Sequence, residues 1–543
     1  MQKATVRTLA AIIAVVAAAQ LWLAWRYYGF LTGDDVEVLS EAFRRARGLA
    51  YTPWDIRNLF VPDVVVAPVV FLARGVSTRT TIFLASLPFI ALSSLTIWLV
   101  YRLALRWCDE RAAIVAALLF ATHWIPLSFG STVYPRTLAA ACVVAAALIV
   151  DRWPFVAGLL IGLAFADRFS EIVFLGPVLA VILSRRHPGG VEDGEGSPAA
   201  SHASAAHPFR VSAGDPSTVL RDSALRALSL RRLRMTVALL AGCFVSILLT
   251  VGLYDWLTWG SPFSSAIKFA HLTLVEPDFA SRVKYQAPWW YVANIVRWCS
   301  PALLPLLWYA RRTRAIWFIV IPLIAFSAIK HKELRYLQVM IPFLCIAASI
   351  GFAAMRHRRI AIALVAISIV WHLHGLRYLA RKSQPSVMAA QWIASNPSIH
   401  SIAASQLWSY GDKLYLGDTM AMSDVGTPPE KLSEVNADAV VLYETDLDVS
   451  SRVDALRANG YAPVRTFRDD PARAVVVFMK NRSAVGPTAG PPPLRRRHFA
   501  RYISLRYFGS RASMRPSPRK LRPITASMMA TPGQMARWFA SPR

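Results

Sequence analysis

Long apolar runs recur along this chain, most of them close to the roughly 20 residues that a helix needs to cross a hydrocarbon core. They fall near residues 8–28, 80–101, 112–128, 134–150, 153–167, 170–184, 234–254, 296–310, 314–330, 336–355 and 360–376. The pattern predicts a mainly α, polytopic membrane protein of about eleven spans, the fifth and sixth short. The first run is long and has no small-residue cleavage site before Trp25-Arg26-Tyr27-Tyr28, so it reads as a retained anchor rather than a signal peptide.

The basic clusters between the runs set an orientation. With Lys3 and Arg7 in the cytoplasm, alternation places Arg102, Arg106 and Arg111, then Arg185 and Arg186, Arg231 to Arg234, Arg311 to Arg314, and Arg356 to Arg359 on that same side. This is the bias that cytoplasmic loops carry. Residues 29–79, residues 255–295 and the cluster from Lys330 to Arg335 are then expected together on the outer face.

Past the last span the pattern changes. A helical stretch at Val387–Ile393, strand-like runs at 439–443 and 474–478, and a helix over 449–458 ending at Gly460 predict a small α/β unit. The expected organisation is a membrane domain over 1–380, an extracytoplasmic α/β domain over 383–482, and a basic, Pro-rich, disordered tail over 483–543. Within the first, residues 185–233 form a cytoplasmic, partly disordered loop. Its Gly-, Ser- and Pro-rich part, Pro188–Ser223, has no apolar periodicity, and its His202 and His207 do not suggest a metal site.

Composition agrees with the pattern: of 543 residues, 55% are hydrophobic and 17% charged. A formal net charge of +28 could suggest nucleic acid, but the basic residues sit mostly in short clusters between apolar runs, the pattern of cytoplasmic loop anchors, which argues against that class of partner. Cys108, Cys142, Cys243, Cys299 and Cys345 are scattered in or beside apolar runs and lack the spacing of a zinc or redox site.

Two polar constellations stand out. Ile329-Lys330-His331-Lys332-Glu333-Leu334-Arg335-Tyr336 packs five ionisable groups between two apolar runs. Lys330, His331, Lys332 and Arg335 form a cationic surface suited to a lipid phosphate, with His331 and Arg335 expected on one helical face. The plainer reading is a connector whose side chains snorkel to the headgroups. Thr32-Gly33-Asp34-Asp35-Val36-Glu37 opens the first outer loop and leads through Glu41 into an amphipathic helix. Its paired carboxylates fit a helix N-cap or the general base of a transferase.

His331-Lys332-Glu333-Leu334-Arg335-Tyr336 closely resembles the His-Lys-Glu-x-Arg-Phe signature of the GT-C mannosyltransferases that use polyprenyl-phosphate sugars in the asparagine-linked glycan and GPI-anchor pathways, with Tyr336 replacing Phe. Those enzymes carry Pro-Asp-Glu in their first lumenal loop; Asp34 matches the Asp, Asp35 stands for the Glu, and Gly33 replaces the Pro. Tyr134-Pro135-Arg136-Thr137, Asp167-Arg168-Phe169-Ser170-Glu171, and the loop from Tyr254 and Asp255 to Trp289-Trp290-Tyr291 resemble further elements. As residues alone, Asp167, Arg168 and Glu171 fit ion pairs at a helix end, and the aromatic run fits an interfacial belt.

The resemblance implies transfer of a sugar, mannose foremost, from a polyprenyl-phosphate donor to a lipid-linked or glycan acceptor at the outer face. It implies Asp34 as base with Asp35 as fallback, and Lys330, His331, Lys332, Glu333, Arg335 and Arg168 around the donor. No metal ligands are predicted, and a divalent cation stays open. Another sugar such as arabinose fits the same architecture, and a lipid-linked glycan transporter or flippase is the reading from another class. Such a transporter should show internal repeats and ionisable groups at mid-span, neither of which is evident. Arg- and Ala-rich usage and the lack of a retention signal at the end of the chain point to a bacterial inner membrane, the endoplasmic reticulum being the alternative.

Overall fold

A computed structural model describes residues 3–50, 56–184, 216–275, 286–381, 385–411, 413–426, 429, 432–447, 449–470 and 473–480. The tail over 483–543, with His202, His207 and most of the Pro188–Ser223 segment, lies outside them. From Pro216 that segment is helical, the start of the helix Pro216–Ile247.

Every expected span is helical along most of its length, but among the described residues four helices are long and apolar enough to cross a bilayer: Lys3–Arg26, Thr78–Ala104, Ser229–Trp259 and Arg358–Gly375. The rest are shorter or broken for identifiable reasons. The third breaks at His123, whose backbone is extended and whose ring accepts from the Ile125 N–H, so Glu110–Thr122 is followed by a separate turn, Trp124–Phe129. The eighth is interrupted after Trp298, where Cys299 is extended and Pro301 follows. One apolar helix was not expected: Pro62–Leu72, inside the first outer loop, exposes Phe71 and Leu72.

The interior is built on small side chains. Ile341–Ala354 is buried along almost its whole length, and its Gly351 lies so close to Leu306 that a Cβ would run into the Leu306 carbonyl. Pro154–Asp167 meets Pro216–Ile247 in the same way, Gly158 and Gly162 facing Leu239 and Ser246. Such close approach is how helices associate where no water drives them together. It also fixes the end of Pro154–Asp167, and so the start of the Arg168 loop.

The helix ends sort into two sets. Arg106 pairs with Asp151 at 3.7 Å, and Arg314 donates to the Ser184 carbonyl at 3.0 Å, joining loops expected on the cytoplasmic side. The segments expected outside, around residues 34, 291 and 335, meet one another and the chain around residues 136 and 168 at the other end.

The C-terminal part forms a five-stranded sheet, ordered β2-β1-β3-β5-β4, from β1 (Ser401–Ala404), β2 (Ala421–Asp424), β3 (Ala439–Tyr443), β4 (Tyr461–Asp470) and β5 (Arg473–Lys480). β1 runs parallel to β2 and β3, while β3, β5 and β4 pair antiparallel. Alternation separates its faces: Val440, Leu442 and Val476 pack with Leu456 of Ser450–Ala458, whereas Val441, Val475 and Val477 face Pro385–Ala394. The second face shares a core with Val36, Leu39 and Phe43 of Gly33–Ala46, and Arg44 of that helix and Arg47 at its C-cap reach Asp418. The sheet thus steadies the helix that carries Asp34.

Candidate active site

Gly33–Ala46 starts where the chain turns at Gly29, in the left-handed region at φ +70° and pressed on Ile82, so a side chain there would be both strained and blocked. Asp35, the third residue of the helix, reaches back to cap it. Its Oδ2 accepts from the N–H groups of Leu31 and Thr32 at 2.7 and 2.9 Å and from the Thr32 hydroxyl, and its Oδ1 accepts from the Thr132 hydroxyl at 3.1 Å. Asp35 is fully buried, which pushes its carboxyl up while the two backbone N–H groups pull it down. The cap reading of the paired acids therefore belongs to Asp35, whose four hydrogen bonds turn it into the protein.

Asp34 points the other way, into a cage of guanidiniums. Arg168 meets its Oδ1 at 2.7 Å, Arg57 meets the same oxygen at 3.3 Å, and Arg335 meets Oδ2 at 3.3 Å. Burial alone would raise the Asp34 carboxyl, but the positive charges of Arg168, Arg335 and Arg57 outweigh it and hold it well below the usual carboxylate range. Glu37, one helical turn on, takes the other edge of Arg57 at 3.0 Å.

The charged cluster is not laid out as a helix. Ile329 and Glu333 are extended, and only Leu334–Leu337 forms a 3-10 turn, so His331 and Arg335 do not share a helical face. Glu333 joins them instead: one oxygen meets His331 Nε2 at 3.2 Å and the other meets Arg335 Nε. Burial raises the Glu333 carboxyl, but Arg335 and His331 bring the net shift below the ordinary value. Lys332, expected around the donor, is buried and donates to the carbonyls of Gln286 and Ile329, which fixes the connector. Lys330 is exposed.

A second buried pair supports the cage. Arg136 meets Glu171 at 2.6 Å, donates to the Tyr336 carbonyl at 2.8 Å and to the Ser170 hydroxyl at 3.1 Å, and lies over the Tyr336 ring. Asp167 accepts from the Ala139 N–H at 3.0 Å, capping the helix Arg136–Ile149, and Tyr291 donates to the Glu333 carbonyl. Of the acidic and basic group 167–171, two members are thus structural, and Arg168 alone reaches Asp34. Trp289 is 68% exposed, as an interfacial residue would be, whereas Tyr291 is buried.

Sequence reasoning missed Arg57. It lies in the first outer loop with no periodicity or neighbouring motif to single it out, and only the fold brings it back onto Asp34 and Glu37. Among the described residues no group of three or more His, Cys, Asp or Glu side chains is placed to hold a metal ion.

One acid thus meets cations from three loops at one end of a bundle of apolar helices. The fold has solved counterparts. ArnT from Cupriavidus metallidurans, bound to undecaprenyl phosphate, matches with a TM-score of 0.54 at 15% identity over 90% of this chain and 100% of that one. The apo oligosaccharyltransferase of Archaeoglobus fulgidus matches with a TM-score of 0.46 at 13% identity over 88% of this chain and 75% of that one. The match to ArnT is a likeness of fold. No curated protein matches the chain in sequence. Residues 50–392 match the model of the Alg9-like mannosyltransferase family, a span that holds Arg57, Arg136, Arg168 and the 330–336 cluster. The chain belongs to the Alg9-like mannosyltransferase family, and is a membrane glycosyltransferase of GT-C type.

Proposed function

We propose that the chain transfers mannose from a polyprenyl-phosphate carrier to a hydroxyl of a lipid-linked or glycan acceptor, at the outer face of a bacterial inner membrane. The carrying observation is Asp34, one carboxylate in contact with guanidiniums from separate loops. Family membership supports the sugar. The undecaprenyl phosphate on ArnT, similar in fold, supports the kind of carrier.

In this reading the acceptor oxygen attacks the anomeric carbon as the bond from that carbon to the phosphate oxygen breaks. The bonding pair leaves with the polyprenyl phosphate, and the acceptor proton passes to Asp34. Arg335 and Arg168 hold the phosphate and stabilise the charge that grows on it. Glu333 orients Arg335 and His331, Lys332 fixes the connector, and exposed Lys330 faces headgroups. Asp35 holds the helix that presents Asp34, and the α/β unit over 383–482 lies on the same outer side. Membranes carrying the chain should transfer radiolabelled mannose from a polyprenyl-phosphate carrier, and cells lacking it should accumulate an unextended lipid-linked glycan. Equal transfer with and without the chain, together with no accumulating lipid, overturns the reading.

A further inference from the structure

The cations suited to the donor phosphate already have an occupant. Asp34, Glu37 and Glu333 face Arg57, Arg168 and Arg335, three carboxylates against three guanidiniums, so the cage is formally balanced before any donor arrives. A sugar phosphodiester adds a negative charge, and the balance then favours separating one carboxylate from its cations.

The geometry shows where the exchange would occur. Arg57 is clamped by two carboxylates, Nε on Glu37 and Nη2 on Asp34. Arg335 is likewise held between Glu333 and Asp34. Arg168 meets Asp34 through Nη2, and its Nε is buried without a hydrogen-bond partner. Each of the three guanidiniums meets Asp34 through a single terminal nitrogen, which leaves other N–H donors for a ligand with more oxygens.

Resting on the reading of Asp34 as base, we propose that the Asp34 carboxylate and the donor phosphate are competing ligands of Arg168 and Arg335, so that donor binding releases the base. Arg57, fixed by Glu37, is the cation that stays on Asp34 and keeps it oriented. A carboxylate held by three cations is a poor proton acceptor, and losing two of them makes it a better one only when the sugar is in place. The donor should therefore bind before the acceptor, and the base stays quiet on an empty enzyme.

The test is binding of undecaprenyl phosphate, without sugar, to the purified full chain in detergent. Asp34→Asn removes the competing charge and keeps the size, so it should bind the lipid roughly fivefold more tightly, the order of one partly exposed ion pair, while turnover falls. In an Arg168→Gln background, lipid binding should weaken and Asp34→Asn should no longer strengthen it by the same factor. Equal or weaker binding by Asp34→Asn, with a melting temperature close to the parent's, overturns the exchange. If Asp34→Asn does not fold, the Arg168→Gln protein decides alone: unchanged lipid affinity overturns the proposal. Near-normal turnover in a folded Asp34→Asn protein would instead remove the base reading, so the two failures are distinguishable.

Discussion

At one end of the helix bundle Arg102, Arg106, Arg111, Arg311, Arg312, Arg356 and Arg359 are exposed. At the other, the side chains of Arg136, Arg168 and Arg335 are 5%, 12% and 13% exposed, and each meets at least one carboxylate. The same residue type thus does two jobs. An exposed arginine beside a span needs only water and headgroups, and its positive charge is the orientation signal. A buried one must be matched, so its presence implies an acid nearby. The net charge of +28 says little about the candidate site; the carboxylates that meet these buried arginines mark it.

The comparison breaks most sharply at Arg136 and Glu171, the more buried pair of the site end. Removing one partner leaves a buried charge unmatched, so Glu171→Gln should cost about 3–5 kcal/mol of stability. The check is thermal unfolding in detergent. Replacing both residues with apolar ones of similar volume should restore much of the loss, and a Glu171→Gln protein that melts like the parent would show that the pair is not held dry.

Asp34→Asn comes next. Loss of a positioned base should lower turnover roughly 100-fold or more, about 2.7 kcal/mol or more in the barrier, with expression little changed. Steady-state turnover with polyprenyl-phosphate mannose is the measurement, and near-normal activity would pass the role to another residue.

How far the site could be read in advance depends on the kind of signal each residue carries. The spans were legible because apolar length is a property of consecutive residues. Asp34 and the Glu333–Arg335 pair were legible because charge next to such runs is conspicuous. The direction of a side chain was not. Lys332 lies between His331 and Glu333 and looks like an equal member of the cluster, yet an extended connector turns it onto the Gln286 and Ile329 carbonyls. Asp34 and Asp35 are likewise neighbours in sequence, and on a helix they point about 100° apart, one to the cage and one to the cap. Arg57 could not be foreseen, since its role depends on a return of the chain that no local pattern encodes. In the C-terminal sheet, β3 and β5 were legible as apolar β-branched runs, while short β1 and β2 and the mixed sequence of β4 carry no such signal.

Arg335→Lys sharpens the contrast by keeping charge and changing shape. An ammonium cannot hold Glu333 and Asp34 on two edges and still offer a planar fork to a phosphate. Turnover at limiting donor should drop roughly tenfold, about 1.4 kcal/mol, and the apparent donor affinity should weaken more than that for the acceptor, whose hydroxyl carries no charge. Donor titrations at fixed acceptor decide it; equal donor affinity for Arg335→Lys would reduce the cluster to a snorkelling connector.

The smallest effect belongs to the opposite end. Arg106 pairs with Asp151 at 3.7 Å, but its side chain is 42% exposed and that of Asp151 30%. The two join the loops after Thr78–Ala104 and Arg136–Ile149 much as Arg168 and Asp34 join loops at the site, so on a contact map the pairs look alike. Solvent separates them. A pair this open gains little in high dielectric and loses that little to salt, so Arg106→Ala should change stability by at most about 1 kcal/mol and leave turnover unchanged. Unfolding of Arg106→Ala and its parent, each at low and at high salt, is the measurement. The difference between the two proteins should shrink as salt rises, whereas the deficit of Glu171→Gln should persist because its partner is dry. A salt-independent loss of several kcal/mol for Arg106→Ala would mean that this end of the bundle is also held by buried charge, and the division between exposed and buried arginines would fail.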